Sequence, residues 1–164
     1  MSKELKTNAV RMLDKLKIPY ELKTYECENF TDGVQIANML GQSPDVTFKT
    51  LVTVGKSAKY YVFVLPANCE MDLKKCAKAV GEKSVEPVHV KDIQSITGYI
   101  RGGCSPIGMK KPFRTVIHES ASSLETVTVS GGRLGLQLML TPADLVKACS
   151  GEYADIAVHT DGDM

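Results

Sequence analysis

The sequence of 164 residues lacks a strong excess of charge of either sign. Its 20 lysine and arginine residues nearly balance its 19 acidic residues, which leaves a formal net charge of +1. This balance excludes the strongly basic surface with which many proteins grip nucleic acid nonspecifically. Any contact with RNA is therefore expected to be local.

Long apolar runs and paired cysteines are also missing. The longest apolar run, residues 60–65, is far too short to span a bilayer, and the N-terminus reads as amphipathic rather than as a targeting signal. The five cysteines form no C-x-x-C pair, which disfavours both a disulfide framework and a zinc site. We therefore expect a soluble cytoplasmic protein with no membrane association, no metal and no other cofactor.

What the chain does contain is a series of short periodic segments, and residues 1–164 are expected to form one domain because no linker, repeat or low-complexity segment divides them. Apolar spacing and turn residues predict helices at 7–16, 32–40, 72–80 and 91–97, a last helix from 141, and strands at 20–25, 48–54, 60–65, 84–88, 115–118, 126–130 and 135–140. This irregular order predicts an α/β fold of the α+β kind. Its mixed, largely antiparallel sheet would be barrel-like and surrounded by helices, whereas a doubly wound parallel sheet would need longer, regular βαβ units.

Lys49 stands out as the one full charge within the predicted strand 48–54. Strand alternation places it on the same face as Leu51 and on the opposite face from Phe48 and Thr50. The strand alone allows two roles for this lysine. It could be an edge-strand charge that discourages aggregation, or a cation held in a pocket for an anionic or carbonyl group.

Two glycine-rich segments follow Lys49, at 98–108 and at 130–132. Main-chain N–H groups in such loops can receive a carbonyl oxygen or a phosphate, although hairpin turns use the same residues. Cys104 lies in the first segment and could serve as a nucleophile. A small buried hydrophobe explains it equally well, and no partner histidine can be proposed. The histidines are scattered and suggest neither a metal site nor a general base: His89, His118 and His159.

Three segments occur in a characteristic order and at characteristic separations: 48–52, 98–108 and 129–136. Together they resemble the YbaK-type family of free-standing aminoacyl-tRNA deacylases, relatives of the editing domain inserted in bacterial prolyl-tRNA synthetases. The resemblance extends over nearly the whole chain, to residues 141–145. It implies a YbaK-like fold and hydrolysis of a mischarged Cys-tRNA(Pro). It also implies two partners, the tRNA acceptor end and prolyl-tRNA synthetase.

The resemblance also implies roles for individual residues. Lys49, Gly102 and Ser130 match catalytic positions, with Lys49 binding the terminal adenosine and its phosphate and Gly102 facing the scissile ester through its main chain. The implied substrate-binding positions are Tyr25, Thr50, Gly103, Gly131 and Asp144. Helix capping would explain Asp144 fully without a substrate role. Arg101 and Cys104 depart from the family pattern, which leaves the substrate contacts of their loop open.

A separate editing step is needed to remove wrongly attached amino acids. The pocket of a synthetase that is shaped for proline excludes an amino acid of similar size by only about 10- to 200-fold per small group. The resemblance suggests that the thiol of the bound cysteine attacks its own ester carbonyl, by a thiolactone route without a protein nucleophile. Other readings stay open: a non-catalytic module that binds a nucleotide or an aminoacyl-tRNA end, or a deacylase for another small amino acid. Cys-tRNA(Cys) is a further candidate substrate.

Overall fold

The computed structural model describes residues 6–26 and 33–159, except for the side chains of residues 33 and 159. Its elements follow in the order α1 (Asn8–Leu16), β1 (Glu21–Thr24), α2 (Gly33–Met39), β2 (Phe48–Gly55), β3 (Tyr60–Pro66), β4 (Cys69–Met71), α3 (Leu73–Val80), β5 (Val85–Pro87), α4 (Ile93–Thr97), β6 (Arg114–His118), β7 (Val127–Ser130), β8 (Leu136–Leu140), α5 (Pro142–Cys149), β9 (Glu152–Ala154) and β10 (Ala157–His159). Short 3-10 helices lie at Val90–Asp92 and Glu119–Ser123.

The ends of the predicted helices are set by local side chains. Thr7, Asp72 and Thr141 cap α1, α3 and α5 by accepting hydrogen bonds from main-chain N–H groups of the first turn. Gly81 ends α3 in the left-handed conformation, with φ of +75°, which glycine adopts without steric cost. These helices are confirmed. The predicted start of the second helix at Asp32 lies outside the described residues.

Ten strands in the described part of the chain form three sheets, in the orders β5-β2-β3-β6-β9, β1-β8-β7 and β4-β10. Five of the seven strand pairings are antiparallel, and the pairings of β6 with β3 and with β9 are parallel. The predicted mixed, largely antiparallel architecture is confirmed. Over the described residues the three sheets do not close into a barrel, but one parallel bridge from Thr47 to Thr128 connects the start of β2 to β7.

The β2–β3 hairpin separates two apolar clusters. Its register runs from Phe48 opposite Pro66 to Val54 opposite Tyr60, as the predicted hairpin requires. Phe48 packs in the cluster that contains α1, whereas Leu51 packs against the cluster that contains α3. The alternation therefore puts Lys49 on the α3 side of the sheet.

No helix among the described residues is long and apolar enough to cross a membrane. The structure also adds three strands that the sequence pattern does not predict, namely β4, β9 and β10. Each has three residues, which is too short to display an alternating pattern.

Candidate functional site

A cavity of about 430 Å³ opens beside β2. Its volume falls within the range of small-molecule sites. The lining comes from β2, from the segment before α4, from the loop after α4 and from the β7–β8 pair, and it includes Tyr25, Lys49, Thr50, Leu51, Met71, Val88, Arg101, Gly102, Cys104, Thr128, Ser130 and Gln137. Five residues predicted for the site therefore border one space: Tyr25, Lys49, Thr50, Gly102 and Ser130.

The cavity exists because the neighbours of β2 leave a gap along one edge of the strand. At one end of the gap, β5 pairs with residues 53–55, and the N–H of Val88 donates to the carbonyl of Val52 at 3.1 Å. At the other end, the N–H of Thr128 donates to the carbonyl of Val46 at 2.9 Å. Lys49 lies between these two closures, so its end of β2 borders the cavity.

Ser130 presents its main-chain N–H toward β2. The N–H of Thr128 points away from β8, toward Val46, while the N–H of Gly131 donates to Leu136 on the β8 side at 2.8 Å. Main-chain groups alternate along a strand, so the N–H of Ser130 points the same way as that of Thr128. The Ser130 hydroxyl oxygen also accepts a hydrogen bond from the N–H of Gly132 at 3.2 Å, which braces the turn.

Gly103 and Gly131 flank the cavity without lining it. The N–H of Gly103 donates to the carbonyl of Ile100 at 3.0 Å, and the N–H of Gly131 is held by the β7–β8 hairpin. A Cβ atom on Gly103 would lie 2.8 Å from the Cα of Arg133, so the two glycine-rich loops are in direct main-chain contact. Close packing of backbones accounts for the glycine at position 103, and the substrate contacts of both glycines stay a prediction.

Asp144 lies in the first turn of α5 and does not line the cavity. Its N–H donates to the hydroxyl oxygen of Thr141 at 3.2 Å. A carboxylate in the first turn is favoured by the helix dipole. The helix cap thus explains this residue, and its role in substrate binding stays a prediction.

Cys104 lines the cavity as a protonated thiol. Burial raises its pKa to about 11, and the Thr97 hydroxyl opposes this shift. A thiolate is the nucleophilic form of cysteine, so almost none is present at neutral pH. None of the described lining residues is a histidine that could activate it. Cys104 therefore fits an inert wall better than a covalent catalyst.

None of the three histidines is among the described residues that line this cavity. The Nδ1 of His118 accepts a hydrogen bond from the N–H of Ile156 at 3.2 Å, and this residue borders a second cavity of about 310 Å³. Among the described residues, no group of three or more His, Cys, Asp or Glu side chains is arranged to hold a metal ion.

The sequence pattern missed the pair of glutamines at one side of the cavity. Gln42 donates from Nε2 to the Oε1 of Gln137 at 2.9 Å, and Gln137 donates back at 3.3 Å. Gln137 is only 4% exposed and lines the cavity. The two residues are 95 positions apart, so no local pattern could have shown that they form a pair.

Comparison with known proteins gives concordant results. The family described as "Aminoacyl-tRNA editing domain" matches residues 27–148. An Enterococcus faecalis protein named as a candidate Cys-tRNA(Pro)/Cys-tRNA(Cys) deacylase, EbsC, is 47% identical over 154 residues, covering 92% of this chain and 93% of that protein. A crystal structure described as a candidate trans-editing enzyme for prolyl tRNA synthetase superposes with a TM-score of 0.84 at 21% identity, over 96% of this chain and 99% of the other. A hypothetical protein, APE2540, superposes with a TM-score of 0.83 at 22% identity, over 92% and 99%. The two solved structures establish likeness of fold.

Proposed function

The chain belongs to the aminoacyl-tRNA editing domain family, and from that premise we propose that it is a trans-editing deacylase that hydrolyses the ester of Cys-tRNA(Pro). The observation that carries this proposal is that Lys49, Gly102 and Ser130, which come from three separate segments, line one cavity. Two cations among the described lining residues, Lys49 and Arg101, suit a polyanionic ligand such as a tRNA end.

Each group has a part in this proposal. Lys49 binds the phosphate and ribose of the terminal adenosine as a point charge. The main-chain N–H of Ser130, together with that of Gly102, stabilises the oxyanion that develops on the ester carbonyl oxygen. Tyr25 borders the same space and would form part of the wall that receives the substrate.

The chemical step needs no protein nucleophile. The substrate thiol attacks its own ester carbonyl, a carbon–sulfur bond forms, and the carbon–oxygen bond to the tRNA breaks. The thiol proton passes to the departing ribose oxygen, and water then opens the thiolactone to give free cysteine. Holding thiol and carbonyl in an attacking geometry is the main catalytic contribution that such a pocket can make. The protonated state of Cys104 supports this scheme over covalent catalysis.

A complex with prolyl-tRNA synthetase would supply the choice of tRNA. The net charge of +1 gives the chain little general attraction for RNA, so recognition beyond the acceptor end must come from a partner. Activity on this substrate would take place in the cytoplasm, where charged tRNA is used.

A single-turnover assay on Cys-tRNA(Pro), Ala-tRNA(Pro) and Pro-tRNA(Pro) tests the proposal. We expect rapid loss of the cysteinyl ester and slow loss of the other two, because only cysteine carries the attacking thiol. A seryl ester serves as the matched control, since it exchanges sulfur for oxygen at nearly constant shape. Equal rates for the seryl and cysteinyl esters would contradict substrate assistance, and tight binding without hydrolysis would instead indicate a binding module.

A further inference from the structure

One edge of β2 is open at Thr50, between the bridge of Thr47 to β7 and the pairing of residues 53–55 with β5. The carbonyls of Val46 and Val52 face away from β3, toward Thr128 and Val88. The alternation along an antiparallel strand therefore also turns the N–H and C=O groups of the even-numbered residues between them, Phe48 and Thr50, away from β3.

The odd-numbered residues confirm this direction. The carbonyl of Thr47 accepts from the N–H of Ala67 at 2.7 Å, and the N–H of Gly55 donates to the carbonyl of Lys59 at 2.8 Å, both on the β3 side. The parallel bridge between Thr47 and Thr128 uses the outward N–H of Phe48. Thr50 lies beyond that bridge and outside the register of β2 with β5, which covers residues 53–55. Thr50 lines the cavity, so its outward carbonyl is within reach of a ligand there.

Thr50 has a second unsatisfied group. Its hydroxyl oxygen is buried without a hydrogen-bond partner in the described part of the chain. Buried polar groups normally have partners, and an orphan at a cavity wall is typical of a position that a ligand completes. Rotation about the Cα–Cβ bond moves this hydroxyl among its staggered positions without disturbing the strand.

We propose that the open edge of β2 binds the α-amino group of the substrate's amino acid, which donates hydrogen bonds to the main-chain carbonyl and the hydroxyl oxygen of Thr50. The aminoacyl group would then be held like one residue of an added strand. This rests on the proposed function and deepens it, because it assigns recognition of the amino acid backbone to β2 and leaves the side-chain thiol to react. It also makes the site selective for esters of an α-amino acid over other esters whose acyl group carries a thiol.

The test compares Cys-tRNA(Pro) with 3-mercaptopropionyl-tRNA(Pro), which keeps the thiol and the ester and lacks only the amino group. We expect the analogue to lose about ten- to hundredfold in kcat/KM with the unaltered protein, the effect of removing one or two hydrogen bonds to a charged group. Equal kcat/KM for the two esters would overturn the proposal. No hydrolysis of either ester would instead contradict the proposed function itself.

The variant Thr50→Val then locates the binding group, since it removes the hydroxyl at nearly constant shape. We expect a lower kcat/KM for Cys-tRNA(Pro) and an unchanged value for the analogue. The hydroxyl and the amino group are partners in one hydrogen bond, so once either is missing, removing the other has no further effect. An equal loss on both esters would show that the amino group binds elsewhere. Thr50→Ser, which keeps the hydroxyl, should retain discrimination between the esters. Thr50→Ala, which also removes the hydroxyl, provides the same test if Thr50→Val does not fold.

Discussion

The two halves of β2 differ in how their polar groups are satisfied, although both lie in one strand. In the half that pairs with β5, Thr53 is fully buried and its hydroxyl donates to the carbonyl of Tyr61 at 3.1 Å. In the half beside the cavity, Thr50 is a residue of the same type three positions away, and its hydroxyl has no partner among the described residues. The first threonine completes the fold, whereas the second leaves hydrogen-bonding capacity beside Lys49. If the proposed function is right, the same strand serves stability at one end and binding at the other.

Replacing Lys49 should have the largest effect on activity, because it removes the charge from the half of β2 beside the cavity. We expect Lys49→Ala to lower the single-turnover rate on Cys-tRNA(Pro) by about a hundredfold or more, as for loss of one preorganised electrostatic contact. The matched control is Lys147→Ala, on the exposed face of α5, which should leave the rate unchanged. Normal turnover by folded Lys49→Ala would remove the basis for assigning the cavity as the active site.

The loop that borders the binding half should be sensitive to a single methyl group. In Gly103→Ala the new Cβ would lie 2.8 Å from the Cα of Arg133, so the two loops must separate. We expect the free energy of unfolding to fall by about 1–3 kcal/mol, as in other overpacked sites, and the deacylation rate to fall with it. Gly41→Ala is the control: its φ of +69° strains alanine, but a Cβ there meets nothing within 4 Å. That variant should lose stability while retaining the deacylation rate when folded.

The two threonines allow a direct comparison of the halves by urea denaturation. Thr53→Val should lower the free energy of unfolding by about 1 kcal/mol, because it removes a buried hydrogen bond to Tyr61. Thr50→Val should leave it unchanged or raise it, because that hydroxyl has no partner among the described residues to lose. Equal destabilisation by the two substitutions would show that the halves do not differ in the way described.

The smallest expected effect concerns Cys104. The raised pKa of about 11 predicts slow alkylation by iodoacetamide near pH 7, with a rate that climbs as the pH approaches 11, and Cys104→Ala should retain most of the deacylase activity. Mass spectrometry of the labelled peptide would locate the reaction. Since the folded thiol holds its proton more tightly than the unfolded one, whose pKa is near 9.0, this contribution to stability is complete below about pH 9. It declines as the pH rises toward 11. Rapid labelling at neutral pH together with an inactive, folded Cys104→Ala would favour covalent catalysis instead.

Much of the fold could be predicted because its signals are local. Thr7, Asp72 and Thr141 are capping residues beside periodic apolar patterns, and the β2–β3 hairpin joins two runs with a short polar turn. The parallel pairing of β6 with β3 could not be predicted, because segments far apart in the chain meet only through tertiary packing. The same limit applies to β4 and β10, whose pairing depends on a partner and not on their own three residues.

The prediction of the site residues rests on a different kind of signal. Lys49, Gly102 and Ser130 are informative only as an ordered set, and the cavity unites them. The place of Gln137 in the cavity wall could not be predicted from the sequence. A glutamine in a predicted strand resembles any surface polar residue until its partner Gln42 is known. The open edge of β2 was equally hidden, since it depends on where β5 and β7 stop.

The first residues of α1 are in contact with both glycine-rich loops. The Thr7 hydroxyl donates to the carbonyl of Gly131, and a Cβ atom on Gly108 would lie 2.6 Å from the carbonyl oxygen of Asn8. Three segments that are far apart in the chain, namely the start of α1 and the two glycine-rich loops, therefore pack against one another. Substitutions in these stretches should be inherited together across relatives, so that a change at position 7 or 8 is tolerated only with a compensating change in a loop. The rate at which the loops beside the cavity diverge in sequence would then be limited by the sequence at the start of α1.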